Sequence, residues 1–598
     1  MKLIDNRYKI NRLIKDSTYY TIYEAVDIWD SDRKLFLKVY NPEKQGKVID
    51  YFINNYINMS RIKHTYLLEC KQFSIVKFID GRKVKIKQYY STSEYTDAPS
   101  LEEISGKLSF EEKINIILRI CTVLDYLHHR GIAYKLLSPS HIFLNSHEDL
   151  KIVDLATIYE DMVNSDYDNI TRFFIAPEVI LQQENKISSS ADKYSLGMLI
   201  AYLFTDNFFK DEQMPHSYKH VIDMNEYQID FMNHVIKILT NKNPFVRDIE
   251  IKSLINDIKR VFNVDYEYDM IKERGFLDFE TKIVGRENEI KKMLENDESV
   301  SVGNKDIKMI MVCGEEGIGK TRLLKEISYL LRMKGREVYS IEINDNNNSN
   351  LMPLTEILRQ TIKDTPKQLM EKYAREFTSV LPELKLMLGN NIVNGYNDHK
   401  YRLRLYDRVT NYFADFTNSK EELTYLIIDN IEKTTIDFLY LIDYLLRNIS
   451  YGNLVLIVSC DEKTVLRNSD KYDVFYRWLN RDYIENIKIS NLNLDEIGEF
   501  VQHILGINYK PLKFAAVLLK ESRGNPRYIE YMIKDLYAKG ELYFNEEGFW
   551  DLKAQNYSDI YFPSSLDEAL KSQLEIIEKK HMYIMKILSA YKSSVSKV

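Results

Sequence analysis

The hydrophobic pattern of the first half of the chain divides into a strand-like part and a helical part. Short apolar runs separated by turns fill the first ninety residues, and a helix-rich stretch follows to about residue 262. The clearest helix covers 110–129, where Ile117, Cys121 and Leu124 recur on one face. The apolar periodicity then fades over 263–282, which we interpret as a linker.

The second half of the chain alternates between predicted strands and helices, starting near residue 283. A polar loop and a helical insertion separate the second predicted strand from the third. The four predicted strands are 309–313, 337–343, 424–428 and 454–459. This alternation predicts a parallel α/β sheet, and from about residue 493 onward the pattern is helical.

Composition and charge narrow the class of protein. The 598 residues are 45% apolar and 29% charged, which is ordinary for a multidomain globular protein. A net charge of −7 gives no reason to expect general nucleic-acid binding. The N-terminus lacks the apolar core of a secretory signal, and no apolar run approaches the roughly 20 residues that a membrane span requires. The four cysteines form no C-x-x-C pair, so we expect free thiols in a cytoplasmic protein.

The strongest chemical signal is the stretch Gly-Glu-Glu-Gly-Ile-Gly-Lys-Thr beginning at Gly314, a full match to G-x-x-x-x-G-K-[ST]. An apolar strand precedes it and an amphipathic helix follows it. Gly314, Gly317 and Gly319 allow the backbone N–H groups to face phosphates. Lys320 would neutralise the β/γ charge, and Thr321 would offer its hydroxyl to Mg²⁺. The motif predicts ATP and Mg²⁺ as ligands.

Three further features of the second half accompany this loop. Asp429 ends an apolar strand, where a Walker B carboxylate would hold Mg²⁺ through water. A Val-Gly-Arg-Glu stretch follows Ile283, and a Gly-Asn-Pro contains Asn525 and Pro526. Together they resemble the signal-transduction ATPases of the AAA-related STAND class. The resemblance implies a helical lid that brings Asn525 and Pro526 to the nucleotide, and a winged-helix subdomain that starts near Phe562.

The chain departs from that class at positions that matter for hydrolysis. The second acid expected after Asp429 is Asn430, and the W-A-D stretch is replaced by Lys433-Thr-Thr. An arginine expected after the fourth strand falls on or near Asp461. These changes favour nucleotide binding with slow hydrolysis, and Glu432 is the candidate for the missing catalytic acid.

Several short motifs lie in order along the first 262 residues. They are Leu-Phe-Leu-Lys38, Asp154-Leu-Ala, Ala-Pro-Glu178 and a Lys-Tyr-Ser-Leu-Gly that follows Asp192. They resemble the V-A-I-K, D-F-G, A-P-E and D-x-W/Y-S-L-G motifs of eukaryotic-like serine/threonine protein kinases. The resemblance implies a two-lobed fold in which Arg247 pairs with Glu178.

The nucleotide-facing part of that resemblance is degenerate. Tyr20 occupies one of the positions of the glycine-rich loop, and Phe36 replaces the small residue that lines the adenine pocket. The glutamate that would pair with Lys38 falls on Asn55. The loop and the ion pair that position ATP are therefore predicted to be absent.

The catalytic loop is degenerate as well. The base position falls on Leu136, and the second metal ligand falls on His141. Phosphoryl transfer depends on positioning and charge stabilisation, so losing these groups predicts a pseudokinase. Lys38 and Asp154 are then remnants of a kinase site.

The sequence predicts a multidomain α+β and α/β protein, in which a two-lobed protein-kinase-like fold precedes a parallel-sheet P-loop NTPase domain with a helical lid. The predicted domains are kinase-like at 1–262, linker at 263–282, P-loop NTPase at 283–492, helical lid at 493–560 and the start of a winged-helix unit at 561–598. Because this last unit is too short to close, we expect the polypeptide to continue.

The predicted function is an ATP-binding regulator in signal transduction, as in large bacterial multidomain proteins, with a slow ATPase as a nucleotide switch. The expected partner is another protein or a downstream output domain, and nucleotide-dependent self-association is a further expectation. Two alternatives remain open: an active serine/threonine kinase with an unusual catalytic loop, and an AAA-type remodelling ATPase.

Overall fold

The computed structural model divides the chain into two compact units. One contains Met1–Lys282, Phe500–Lys510 and Tyr543–Asp551, and the other contains Ile283–Glu499, Pro511–Leu542 and Leu552–Val598. For residues 44, 374–376, 399–402 and 466 only the backbone is described. The described residues are 2–16, 20–30, 32–44, 62, 64–84, 86–130, 132–135, 137–144, 150–152, 172–181, 188–204, 224–266, 277, 279, 283–343, 352–377, 380–381, 399–420, 422–449, 451–466, 469–507, 509–545, 549–554, 560–562 and 568.

The first unit begins with an antiparallel sheet of eight strands. The strands are β1 (Leu3–Ile4), β2 (Tyr8–Asp16), β3 (Tyr20–Asp27), β4 (Arg33–Tyr40), β5 (Cys70–Ile75), β6 (Phe78–Ile79), β7 (Arg82–Lys83) and β8 (Tyr89–Glu94). Their order is β5-β8-β4-β3-β2-β1-β6-β7. Leu35, Leu37 and Val39 of β4 enter the core beneath the sheet, so Phe36 and Lys38 lie on the opposite face.

The rest of the first unit is mainly helical. Its described helices are α1 (Leu101–Ile104), α2 (Phe110–His129), α3 (Pro177–Ile180), α4 (Ser189–Phe204), α5 (Glu226–Leu239) and α6 (Ile251–Phe262), with a small sheet of β9 (Ile142–Leu144) and β10 (Leu150–Ile152). Helix α2 confirms the helix predicted at 110–129. A capping box between Ser109 and Glu112 starts it, and most of its side chains are buried against α4 and α6.

The second unit is built on a parallel five-stranded sheet. The strands are β11 (Met309–Cys313), β12 (Glu337–Glu342), β13 (Thr424–Asp429), β14 (Leu454–Cys460) and β15 (Ile484–Lys488). Their order is β12-β13-β14-β11-β15. Met309 and Met311 enter one core cluster, whereas Ile310 and Val312 enter another. The sheet is thus covered on both faces, which explains its continuous apolar runs.

Helices surround this sheet and continue beyond it. They are α7 (Glu287–Ser301), α8 (Lys320–Met333), α9 (Met352–Ile362), α10 (Lys367–Phe377), α11 (His399–Asn418), α12 (Ile436–Asn448), α13 (Glu462–Leu466), α14 (Ser469–Leu479), α15 (Leu494–Leu505), α16 (Leu512–Ser522) and α17 (Pro526–Ala538). Helices α9 to α11 form the insertion predicted between the second and third strands. Within the described ranges, no helix combines the length and the apolar character needed to cross a membrane.

The structure differs from the sequence expectations in two places, and a third expectation is not tested. The four predicted strands are present, but β15 was not predicted because its short run Ile-Glu-Asn-Ile-Lys gives little periodicity. Strands β16 (Leu542–Phe544) and β17 (Trp550–Leu552) pair within the stretch that was interpreted as wholly helical. Nearly all of the predicted winged-helix unit lies outside the described residues.

Candidate nucleotide-binding site

The phosphate-binding loop connects β11 to α8. Gly317 and Gly319 have φ angles of +78° and +102°, which glycine adopts without the steric cost that other residues meet. A Cβ on Gly317 would also lie 2.8 Å from Oδ1 of Asn525, whereas one on Gly319 would meet open space. The loop therefore requires glycine at both positions, and at Gly317 for two independent reasons.

Lys320 lies at the start of α8 and is 7% exposed. Its Nζ donates to the carbonyl oxygens of Gly314 and Glu315, both at 2.9 Å. The ammonium is thus held within the loop by two neutral acceptors. Anionic phosphate oxygens would make stronger, charge-assisted hydrogen bonds with it.

Thr321 and Asp429 meet at the end of the loop. Thr321 Oγ1 donates to Oδ2 of Asp429 at 2.6 Å, and Ser459 of β14 donates to the other carboxylate oxygen. Asp429 ends β13 and is buried. A hydroxyl and a carboxylate side by side are hard oxygen donors, so the residues present fit Mg²⁺.

The predicted G-N-P motif contacts the loop directly. Asn525 Nδ2 donates to the carbonyl of Glu316 at 2.9 Å, and the amide of Arg527 donates to the carbonyl of Gly317 at 3.2 Å. The Arg527 guanidinium also pairs with the Glu316 carboxylate at 3.1 Å. Pro526 is the first residue of α17, where its missing N–H costs nothing. These contacts engage the carbonyls of Glu316 and Gly317 and connect the loop to the start of α17.

Arg286 contacts the phosphate-binding loop, a role that was not assigned to it from the sequence. It is 3% exposed and donates to the carbonyls of Gly285, Ile318 and Ser490 at 2.8, 3.1 and 2.9 Å. Ile318 belongs to the phosphate-binding loop, and Ser490 follows β15. The signal was present in the Val-Gly-Arg-Glu stretch, but only the fold reveals that its arginine supports the loop.

Glu432 is buried next to the loop lysine. It lies in the 3₁₀ turn Ile431–Lys433 and is 4% exposed, and its Oε2 has no hydrogen-bond partner among the described residues. Burial raises the pKa of Glu432. Hydrogen bonds from the backbone of Glu432 and Asp461 and the attraction of Lys320 oppose this shift, and the charge of Asp461 adds to it slightly. Asp461 itself caps α13 by accepting from the backbone amide of Lys463 at 3.2 Å, and it also accepts from Thr464 Oγ1 at 2.7 Å. The Asp461 carboxylate thus lies at the N-terminus of α13, where the helix dipole favours a negative charge.

Two of the cysteines pair beneath the loop. Cys313 ends β11 and Cys460 ends β14, in register, and their sulfur atoms are 3.0 Å apart. Both are buried free thiols. The contact with Cys313 and burial together raise the pKa of Cys460. The sequence predicted buried thiols, but it gave no sign that residues 147 positions apart would meet.

Lys38 of the kinase-like part is placed differently from Lys320. Its Nζ lies 3.9 Å from the ring centroid of Tyr20 and 5.6 Å from that of Tyr40, in cation–π geometry. The ring of Phe36 lies 5.0 Å from that of Tyr95, which follows β8. Aromatic side chains thus contact both Lys38 and the residue at the predicted adenine position.

Three predicted kinase positions, Asn55, Leu136 and Asp154, lie outside the described residues. His141 is described, and its Nδ1 lies 3.1 Å from Oγ of Ser138. The imidazole therefore contacts a buried hydroxyl in the catalytic-loop region.

The structural half of the kinase pattern is complete. Arg247 and Glu178 form a buried bidentate pair at 2.6 and 3.0 Å, as the resemblance implied. The carboxylate of Asp192 accepts from the amides of Tyr134 and Lys135 at 2.8 and 2.5 Å. The carboxylate of Asp192 thus ties α4 to the backbone that follows α2.

Comparisons with known proteins agree with this division of the chain. Residues 8–275 match the protein kinase domain family, and residues 282–458 match the AAA ATPase domain family. Similar proteins include a probable serine/threonine-protein kinase of Lactococcus lactis, 24% identical over 47% of this chain and 48% of its own length. Others are a probable serine/threonine-protein kinase of Dictyostelium discoideum (26% identical, 32% and 35%) and serine/threonine-protein kinase D of Synechocystis sp. (29% identical, 25% and 30%).

This chain thus spans about half, or less, of the length of these relatives. The match to the kinase family covers the antiparallel sheet and the helices that follow it. The match to the AAA ATPase family begins just before α7 and includes the phosphate-binding loop and Asp429. The chain therefore joins a protein kinase domain to an AAA ATPase domain.

Proposed function

We propose that this protein is an ATP-binding regulator in signal transduction, with a STAND-type nucleotide switch in its AAA ATPase domain. The kinase domain is a pseudokinase that acts as a recognition or regulatory module. The contrast between the two buried lysines supports this proposal most directly. Lys320 is held by carbonyls within a phosphate-binding loop, whereas Lys38 lies against the ring of Tyr20.

The residues of the AAA domain account for nucleotide binding. Lys320 exchanges its two carbonyl partners for β- and γ-phosphate oxygens, which the N–H groups of the loop and of the α8 N-terminus also bind. Thr321 and Asp429 hold Mg²⁺, which offsets the negative charge of the phosphates when it is bound. Asn525 and Arg527 connect the loop to α17, so a rearrangement of the loop on binding is passed to this helix.

Hydrolysis is proposed to be slow. Glu432 takes the proton of the attacking water, and its raised pKa brings it closer to the ideal for a base at neutral pH. Asn430 cannot take a proton, and Asp461 offers no positive charge to the transition state. Losing one stabilising group typically costs about 10²-fold. We therefore expect on the order of one turnover per minute or less, far below the common ~10 s⁻¹.

Paired substitutions test the division of labour. Lys320→Ala should weaken binding of a fluorescent ATP analogue by at least about 100-fold, because it removes the charge that faces the phosphates. Lys38→Ala should change the affinity by less than about twofold. Equal losses in both variants would show that the kinase domain is a true nucleotide site and would overturn the proposal.

An active protein kinase is the second candidate, and the names of the relatives favour it. The intact Arg247–Glu178 pair and the contacts of Asp192 are also compatible with a working kinase fold. Incubation with γ-labelled ATP decides between the two. Phosphorylation of the chain or of a generic substrate that is lost in Lys38→Ala and kept in Lys320→Ala would establish kinase activity.

The partner and the location remain predictions of the sequence. A protein partner or an output domain would receive the signal, the protein would be cytoplasmic, and ATP would promote self-association. Size-exclusion chromatography with and without Mg·ATP tests the last of these. An unchanged elution volume for the wild type, at concentrations that saturate the site, would contradict it.

A further inference from the structure

A lysine outside the recognised motifs reaches the turn that carries Glu432. Lys471 belongs to the first turn of α14, ten residues after the aspartate that replaces the expected arginine. Its Nζ donates to the backbone carbonyl of Glu432 at 2.8 Å. Lys471 is itself half-buried, so its ammonium lies in a region where charge is weakly screened.

The charges around Glu432 explain why such a cation matters. Lys320 of α8 attracts the carboxylate, and Asp461 after β14 repels it. The charge of Glu432 in turn helps to raise the pKa of the Cys460 thiol. When Lys320 binds phosphates, its charge is shared with a polyanion. Lys471 then remains as a cation that interacts with Glu432 and opposes its protonation.

We propose that Lys471 is a positioning residue for ATP hydrolysis, which fixes the Glu432 turn through its hydrogen bond to the backbone carbonyl and adds a positive charge to that turn. This inference rests on the proposed role of Glu432 and adds a residue to it. Burial lowers the pKa of Lys471, and the negative charge of Glu432 partly opposes this shift.

The first test is the pH profile of single-turnover hydrolysis by the full chain with saturating Mg·ATP. Lys471→Met should move the acidic limb of the profile to higher pH by about one unit, since the carboxylate loses an opposite charge. The rate would fall about tenfold on that limb and little at high pH. Lys471→Arg should restore the profile, and Arg477→Met, an exposed cation on the same helix, should leave it unchanged. ATP affinity should not change.

The second test needs no turnover. Thermal unfolding midpoints of the nucleotide-free chain are measured for the wild type, Glu432→Gln, Lys471→Met and the double variant. We expect Glu432→Gln to raise the midpoint more when Lys471 is absent, because the buried carboxylate has then lost one of the two lysines that attract it. Additive midpoints, together with a rate that falls equally at every pH and is not restored by Lys471→Arg, would overturn the proposal.

The outcomes also separate this inference from the proposed function. If Glu432→Gln hydrolyses ATP as fast as the wild type, Glu432 is not the base, and the positioning role of Lys471 falls with it. Coupled midpoints would in that case report a structural ion pair only. If Glu432→Gln abolishes hydrolysis and Lys471→Met leaves the pH profile unchanged, the function stands and the inference fails.

Discussion

The two domains each contain a buried lysine at the place where their families bind ATP, yet the surroundings of these lysines differ. Lys320 donates to two backbone carbonyls and lies near a hydroxyl–carboxylate pair that fits Mg²⁺. Lys38 lies against the faces of two tyrosine rings. A phosphate can displace a carbonyl from an ammonium without moving the fold. The ring of Tyr20, the first residue of β3, covers one side of the Lys38 ammonium.

The comparison also separates structural from chemical parts of a motif. The kinase domain retains the buried Arg247–Glu178 pair and the carboxylate of Asp192 under its catalytic loop. These groups hold the domain together whether or not it binds a nucleotide. In the AAA domain, by contrast, the buried charges of Lys320 and Glu432 lie at the phosphate-binding loop. Their placement favours binding of a ligand and contributes less to the stability of the fold.

The largest expected effect is on the stability of the kinase domain. Arg247→Ala leaves the carboxylate of Glu178 buried without its partner, which typically costs about 3–5 kcal/mol. Chemical denaturation of the full chain should show an early transition, while ATP binding is retained. Arg260→Ala removes an exposed pair with Asp257 and should cost less than about 1 kcal/mol. Loss of ATP binding in Arg247→Ala would mean that the kinase domain contributes to the site.

The second prediction concerns the phosphate-binding loop of the AAA domain. Gly317→Ala places a side chain at a strained φ, and its Cβ would lie 2.8 Å from Oδ1 of Asn525. Both the loop and its contact with Asn525 should therefore shift. We expect ATP affinity to fall by about 100-fold, since a misplaced loop loses several phosphate contacts. Gly303→Ala has a similar φ of +75° with open space around it, and it should leave affinity unchanged. An equal loss in both variants would point to general destabilisation.

The sequence was sufficient for features that depend on local pattern. The strand–loop–helix around Gly314 and the helix 110–129 could be predicted because glycine spacing and apolar periodicity encode them directly. Contacts between distant segments could not be predicted in this way. Arg286 reaching the loop, Cys313 meeting Cys460 and Lys471 reaching Glu432 all depend on the strand order, which single-sequence periodicity does not contain.

Boundaries were predicted less well than elements. The linker was placed at 263–282, but Tyr266 packs on the core of the kinase domain and its hydroxyl lies 2.9 Å from that of Thr122. The family match likewise extends to residue 275. An acidic, aromatic run lacks helical periodicity and was therefore interpreted as a linker, although the ring of Tyr266 still buries apolar surface.

A third, smaller effect tests whether Lys38 is structural. Lys38→Ala removes the cation–π contact with Tyr20 and the packing of the aliphatic stem. The kinase domain should lose about 1 kcal/mol of stability, measured by denaturation, with ATP binding intact. Lys34→Ala, an exposed lysine of the same strand, should have a smaller effect. A gain in stability on removing Lys38 would show that this lysine is strained in the way of a binding-site residue.

The smallest expected effect concerns Glu432 without nucleotide, and its sign distinguishes a functional carboxylate from a structural one. Burial raises the pKa of Glu432, so the folded chain binds this proton more tightly than the unfolded chain. Its contribution to stability is therefore greatest below the ordinary carboxyl pKa and declines as the pH rises through the folded-state value. Glu432→Gln cannot titrate, so it should raise the unfolding midpoint at about pH 8 by roughly 2–4 °C, and the gain should shrink towards about pH 5.

Glu298→Gln is the matched control of opposite sign, because the hydrogen bond between Glu298 and Lys334 lowers the pKa of Glu298. That exposed pair stabilises the fold slightly at neutral pH, so its loss should lower the midpoint by a fraction of a degree. A lower midpoint for Glu432→Gln at high pH would instead mean that the charged carboxylate stabilises the fold, and Glu432 would then resemble Glu178 rather than a catalytic acid.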